Sequence, residues 1–476
     1  MSVNYFTPTD AHAIMNELVF QATGVKTTAV VDTASFVDAG NSVLESGYEN
    51  TLKSIGVLIG KTKIAVRPYT GAFKIVSESE DAFDERIRKI SYYAKRNEPS
   101  GAFNTNLYTN LGMGLDEDDG AGSQWTQNPA IVVEKYFGMK SGAWDKSHTQ
   151  YIDQLKMAFA DETSFTDFLN GIMTEIQNDI ESTLEAKNRM VVLDCIAGTY
   201  LQAGGNLPSA CAVNLTSEFN TAFGTSYTTA QILNEHAVEF LKFFLARFKI
   251  DSKKLEHRSI NYHDSMEKTI GSDKYYVMRH TPKAYQKFVY YEPIFTQLDF
   301  NLANIFNPEM LKLDAGEGVD FWQSDAPGYE GSIDVIPSLP DNAVSSEIKI
   351  PLVIGLLFDT DALKTTNKFT SLLVTPVHAK KNYMNYFWHW RFQWFNDVSE
   401  NRILYFMSDT AKTMIDTFIG DGTEDDFELN QTATAITSVT VDGVEKTATT
   451  DYTFADNTVT FTSAPANKAV IVITYT

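Results

Sequence analysis

The sequence predicts an α+β fold closed by a small all-β segment, and three observations carry that prediction. Apolar residues recur mostly at steps of three or four from Phe165 to Ile196, the pattern of one long helix. The second half carries a continuous apolar run, Ile350–Phe358, and a period-two alternation over 384–395, both strand patterns. From residue 418 onward, short Thr/Val/Ile runs are separated by Asp442-Gly443 and Asp456-Asn457, which are hairpin turn signals.

Composition bounds the rest. At roughly 100–200 residues per domain, 476 residues give two to four structural units. With 43% hydrophobic and 21% charged residues, the chain can bury a core. Its 31 Phe and 22 Tyr suit cores and subunit interfaces alike, because rigid rings add contact area at little entropy cost. A net charge of −22 argues against a general nucleic-acid binder, which needs Lys and Arg for phosphates. Cys195 and Cys211 form no CxxC motif and no disulfide framework, so a reducing compartment is expected. Met1–Phe6 shows no basic region followed by an apolar run, so no signal peptide is expected. No apolar stretch nears the ~18 residues that would span a bilayer.

The elements follow in chain order. Residues 1–55 read as an arm with a short helix capped by Asp10. Residues 56–150 contain a basic hairpin at 57–76, with Thr62, Ile64 and Val66 on one face and Lys61, Lys63 and Arg67 on the other. Residues 61–97 hold nine basic against five acidic residues, a local excess that marks Lys61, Lys63, Arg67 and Lys74 as candidate intersubunit contacts. The Gly/Asn/Asp-rich stretch 98–128 reads as a loop; it lacks the ligand spacing and closing Glu of a calcium loop. Residues 151–205 hold the long helix, expected over 163–201 and followed by Gly204-Gly205.

Residues 206–417 read as the mixed α and β bulk. Thr228 to Gln231 forms a capping box heading a helix Ile232–Phe248. In the alternating strand, Met384, Tyr386, Trp388, Trp390, Phe392 and Trp394 share one face, with His389, Arg391 and Gln393 on the other. Such a face can stack on nucleobases, but a core or interface strand is the favoured reading. Residues 418–476 read as a small accessory β-domain, with nine acidic residues against two lysines from Asp421 on. It is expected to face outward as a module dispensable for the assembly; a clamp between neighbours, or a last strand, Ala469–Tyr475, that completes a sheet of the main body, are the competing readings.

No catalytic signature holds: GxxxxGK[ST], HExxH, GxSxG and a helix-opening GxGxxG are all missing. His257 and His263 are the nearest candidate metal pair, and ordinary satisfied histidines are the favoured reading. The chain is therefore expected to be no enzyme and to carry no cofactor or metal.

Several strings in the second half then stand out together. They are Arg279-His-Thr-Pro-Lys283, Phe306-Asn-Pro-Glu-Met-Leu-Lys-Leu313 and Val319-Asp-Phe-Trp322, then Val353-Ile-Gly-Leu-Leu-Phe-Asp-Thr-Asp-Ala-Leu363, Asn382-Tyr-Met-Asn-Tyr-Phe-Trp388 and Trp394-Phe-Asn-Asp397. Together they resemble major capsid proteins of tailed bacteriophages over roughly residues 1–410. The element order is similar to the Hong Kong 97 capsid fold: N-arm, extended loop, spine helix in a peripheral domain, axial domain.

The resemblance implies a virion shell subunit that forms pentamers and hexamers in the bacterial cytoplasm. These would build an icosahedral head around double-stranded DNA that is bound without sequence specificity. The implied partners are copies of itself, a portal, and scaffold or cement proteins, with no membrane. An encapsulin-like nanocompartment, a tail or baseplate protein and an α/β enzyme are the rival readings.

Overall fold

Glu162–Gln202 forms one 41-residue helix, α1, in the computed structural model of the chain, one residue longer at each end than its sequence pattern predicts. The structure describes residues 13, 15–20, 30, 35–40, 71–78, 87–95, 131–137, 142–151, 162–270, 273–296, 316–338, 346–410 and 412–476. The chain divides into two units. One comprises residues 1–84, 138–192 and 364–395; the other comprises 85–137, 193–363 and 396–476.

From Val191 to Leu201 nearly every side chain of α1 is buried. A helix apolar all round is buried all round, which is why the three-four periodicity fades there. The helix ends at Gly204, whose φ of +89° is the left-handed conformation that glycine adopts without a Cβ clash. The amides of Gly205 and Leu207 both donate to the Gln202 carbonyl, at 2.9 and 3.1 Å.

Lys412 donates to the Leu201 carbonyl and lies 5.5 Å from the Tyr200 ring centre, placing a cation at the negative end of α1. Burial pulls this ammonium down to about 8, against about 10.4 for an unfolded lysine. The unfolded chain therefore binds more protons between these values, and folding gains stability as pH rises through that window. The stability of wild type relative to Lys412→Met is expected to rise by up to about 3 kcal/mol from pH 8 to 10.4. Denaturant unfolding at several pH values checks this, and a flat difference would refute it.

In the first unit, strands Ser77–Glu78, Leu363–Val374, Tyr383–Asn396 and Gly142–Tyr151 form one sheet in that order. The alternation of the aromatic strand Tyr383–Asn396 holds through Phe392, with Met384, Tyr386, Trp388, Trp390 and Phe392 all buried. The phase then flips: Gln393 and Phe395 are buried and Trp394 is half-buried. The flip begins where pairing with Gly142–Tyr151 ends, at Phe392 opposite Gly142. Trp144 stacks on Trp390 at 4.5 Å, and Lys187 of α1 covers the rings of Trp144 and Phe392 at 5.4 and 4.9 Å. Thr365 donates to the buried Asn188 side chain of α1 at 2.6 Å. These contacts seat the helix on the sheet.

In the second unit a five-stranded sheet runs Gly316–Val319, Gln286–Tyr291, Leu352–Asp359, Arg402–Met407, Ala212–Asn214. Its central strand is buried along its length. The apolar run predicted as one strand from Ile350 is split at Pro351, which has no N–H for a ladder. Ile350 ends a separate strand, Glu347–Ile350, in another sheet.

Three helices accompany this sheet: α2 (Leu215–Phe223), α3 (Thr229–Asn234) and α4 (Ala237–Leu255). The predicted single helix Ile232–Phe248 is thus two. The Thr228–Gln231 capping box is present on α3. The break falls at His236, whose φ of −118° is not helical and whose ring stacks on Tyr227 at 4.3 Å. Phe240, Phe244 and Phe248 recur every four residues on α4, one face of a helix. Phe244 meets Tyr405 at 5.5 Å and Phe248 meets Phe288 at 4.8 Å. A Cβ on Gly355 would lie 2.7 Å from the Val289 carbonyl oxygen, so only glycine lets these two strands and the Phe288 ring approach so closely.

A six-stranded antiparallel sheet runs Ile333–Val335, Glu347–Ile350, Met414–Ile419, Val470–Tyr475, Ile436–Val441, Val444–Glu445. The C-terminal strand Val470–Tyr475 therefore lies between two others, in a sheet that two main-body strands share. The sheet's local strand begins at Met414, four residues before the expected boundary. Asp442-Gly443 and Asp456-Asn457 sit in tight turns with positive φ at both positions, as their sequence signals predict. Tyr475 donates to Asp416 at 3.1 Å and shares a 2.6 Å hydrogen bond with Ser346.

Candidate assembly interface

Of the four basic candidates, Lys61, Lys63 and Arg67 lie outside the described residues. Lys74 lies in a 3-10 turn, Lys74–Val76, where the sequence suggests a returning strand. Its ammonium pairs with Glu181 of α1 at 3.3 Å. Phe73 before it takes a left-handed backbone, which breaks the alternation.

The feature best suited to meet a partner is a two-stranded ribbon, Ile87–Tyr92 against Val132–Phe137, which sequence reasoning missed. Its two faces differ sharply. Outward lie Arg88, Ile90 and Tyr92, opposite Tyr136, Glu134 and Val132. Tyr92 is 65% exposed and Tyr136 50%. Arg88 pairs with Glu134 across this face, and Tyr136 donates to Glu134 at 2.9 Å. Large apolar groups gathered on one exposed face mark an interaction surface.

The inward face is pinned by ions. Lys89 reaches Asp397 at 2.8 Å and Glu400 at 2.5 Å. Lys135 reaches the other Asp397 oxygen at 3.1 Å. Arg279 pairs with Glu400 at 2.9 Å and donates to Ser91 at 2.6 Å. Ser399 donates to Asp397 from both its amide and its hydroxyl, at 3.0 and 2.7 Å. Burial alone would raise the Asp397 carboxyl; Lys89 and Lys135 overcome that and hold it well below the usual carboxylate range. Burial raises the Glu400 carboxyl, against the pull of Lys89 and Arg279. A two-stranded ribbon is marginal alone in water, so this cluster is what fixes it to its unit.

The aromatic strand places Trp388 and Trp390 inside its unit, as a core strand does. Among the candidate metal residues, His263 is buried, with its ring nitrogens 3.1 Å from Asn401 Oδ1 and 2.8 Å from the Val277 carbonyl. His257 is exposed beyond the end of α4. Among the described residues, no group of three or more His, Cys, Asp or Glu is placed to hold a metal. No described helix is long and apolar enough to cross a membrane.

No family model matches the sequence, and no curated protein does. Among solved structures, the chain is similar to one in the capsid structure of Staphylococcus phage Andhra. Identity is 11%, coverage is 73% of this chain and 87% of that one, and the TM-score is 0.44. A chain in the structure of the head fiber and inner core protein gp22 of bacteriophage P68 gives 12%, 73%, 88% and 0.42. One in the capsid structure of the cyanophage P-SCSP1u gives 12%, 74%, 92% and 0.38.

Proposed function

We propose that this chain is the major capsid protein of a tailed phage, a subunit that acts by assembly and not by catalysis. The observation that carries the reading is the ribbon. One of its faces is locked by buried ions, while the other presents Ile90, Tyr92, Val132 and Tyr136 to solvent. Tyrosines beside aliphatic groups on one exposed face match the composition of a subunit interface. The sequence resemblance and the order of elements support the same reading.

In this reading the chain has the Hong Kong 97 layout. Residues 1–55 are the N-arm, 56–150 the extended-loop region, 151–205 the peripheral domain with α1 as its spine, and 206–417 the axial domain. Residues 418–476 are the accessory segment. The ribbon 87–92/132–137, with Lys61, Lys63 and Arg67 upstream, is the part of the extended loop that lies on the next subunit. Pentamers and hexamers close a head around double-stranded DNA, with a portal and scaffold or cement proteins as partners. The site of assembly is the bacterial cytoplasm, and the destination is the virion.

Electron microscopy of the purified chain tests this: closed particles or capsomers are expected, and a strict monomer at all concentrations and salts refutes it. Tyr92→Glu with Tyr136→Glu is expected to abolish particles. The folded subunit should change by no more than about 0.5 kcal/mol per site, as is usual for exposed positions. Wild-type particle yield from that pair would remove the ribbon from the interface.

A further inference from the structure

We propose that the basic end of α4 in one copy docks on the acidic turn 420–428 of a second copy. The inference rests on the shell reading and adds a contact to it. Lys249, Ile250, Lys253, Lys254 and His257 line an open depression of about 390 Å³. Ile250, the aliphatic member of that lining, is 52% exposed. In a chain of net charge −22, a basic rim around one bare isoleucine is a local inversion of the general surface. Its near acids are already engaged: Glu256 holds Lys253 at 2.7 Å, and the buried Asp251 lies 3.8 Å from Lys254.

The same chain carries the matching surface. Ile419 is 72% exposed and pairs across strands with Val470, 45% exposed. Asp421, Glu424, Asp425, Asp426 and Glu428 follow directly, all exposed. The turn is held in shape: Asp421 accepts from the amides of Thr423 and Glu424 at 2.7 Å each, and the Lys468 amide donates to Gly420 at 2.7 Å. An apolar pair beside carboxylates thus faces the same need as an apolar residue rimmed by ammonium groups.

Charge complementarity sets partner choice, and the apolar centre supplies the water-free contact. Among the described residues the two surfaces form no ion pair within one copy. A nucleic acid would satisfy the lysines but brings no aliphatic group for Ile250, so the second copy is the better fit.

The test is a charge swap in the full chain. Lys249→Glu, Lys253→Glu and Lys254→Glu together are expected to lower the assembled fraction at least tenfold, read by sedimentation and particle counts. Glu424→Lys with Asp425→Lys is expected to do the same. Combining both sets in one chain is expected to restore assembly. Lys253→Gln with Lys254→Gln, which removes charge without reversing it, is expected to give an intermediate loss that high salt reproduces in wild type. Circular dichroism of unassembled subunits confirms folding.

Normal yield from either reversed set, or no rescue in the combination, overturns the contact while leaving the shell reading intact. Normal yield with less encapsidated DNA would assign the lysines to nucleic acid and also overturn it. Wild-type protein that forms no particle overturns the shell reading itself.

Discussion

Replacing Asp397 by alanine is expected to destabilise the second unit by about 3 kcal/mol, the low end of the cost of breaking a buried ion pair. The low end applies because Lys89 and Lys135 keep 20% and 25% of their side chains exposed and recover some hydration. Asp397 itself is fully buried and is the point where both ribbon strands meet the unit. Its loss leaves Lys89 with Glu400 alone, removes the carboxylate that Lys135 meets, and leaves two Ser399 donors unmet. Asp397→Asn keeps an acceptor for Ser399 and is expected to cost less.

The sign with pH is defined. A carboxyl held below its unfolded value near 3.9 contributes stability above that value and loses it as pH falls through its own lower one. Asp397's own contribution to the difference between wild type and Asp397→Ala should therefore stay flat from pH 7 to about 4, then shrink. Denaturant unfolding gives the magnitude, and limited proteolysis near residues 87–95 reports release of the ribbon. A loss under about 1 kcal/mol with an intact ribbon would mean the cluster does not pin it.

Ile180→Pro is the second large effect, expected to cost about 3 kcal/mol or more. Position 180 lies deep inside α1, where proline removes the amide bond to residue 176 and pushes its ring against that carbonyl. Ile176 is buried, so the displaced turn cannot move without disturbing the seat of the helix. Because Asn188 and Lys187 hold the sheet further along the same helix, a kink at 180 shifts their register as well. Ile180→Ala separates lost packing from lost helix. Soluble, particle-forming Ile180→Pro protein with unchanged helicity would contradict a continuous α1.

Local patterns foretold most elements because they depend on neighbours in sequence. The apolar steps of α1, the capping box at Thr228 and the turns at Asp442 and Asp456 each occupy a short window. What stayed hidden depends on partners far apart. Ile87–Tyr92 carries Arg88 and Lys89 on opposite faces, so neither face reads as wholly apolar or wholly polar, and its partner strand lies some forty residues away. Asp397 appears in the sequence only as the last residue of a resemblance string; its role needs Lys89 and Lys135 brought to it through the fold. Pro351 lies inside a continuous apolar run, and only the pairing of Glu347–Ile350 in a different sheet shows that it divides two strands. The buried stretch Val191–Leu201 lost its periodicity because every side of it is covered. The interface itself is legible only in part, since exposure of Tyr92 and Tyr136 is a property of the folded ribbon.

The placement of the C-terminal strand sets an order of events during synthesis. Val470–Tyr475 fills the gap between Met414–Ile419 and Ile436–Val441, and it leaves the ribosome after every strand it joins. Until then, Met414–Ile419 has only Glu347–Ile350 beside it, and Tyr475 is absent from Asp416 and Ser346. A nascent chain halted before residue 470 therefore holds an open pair of strand edges, with the carboxylate of Asp416 between them. Closure of this sheet therefore waits until residues 470–475 have left the ribosome.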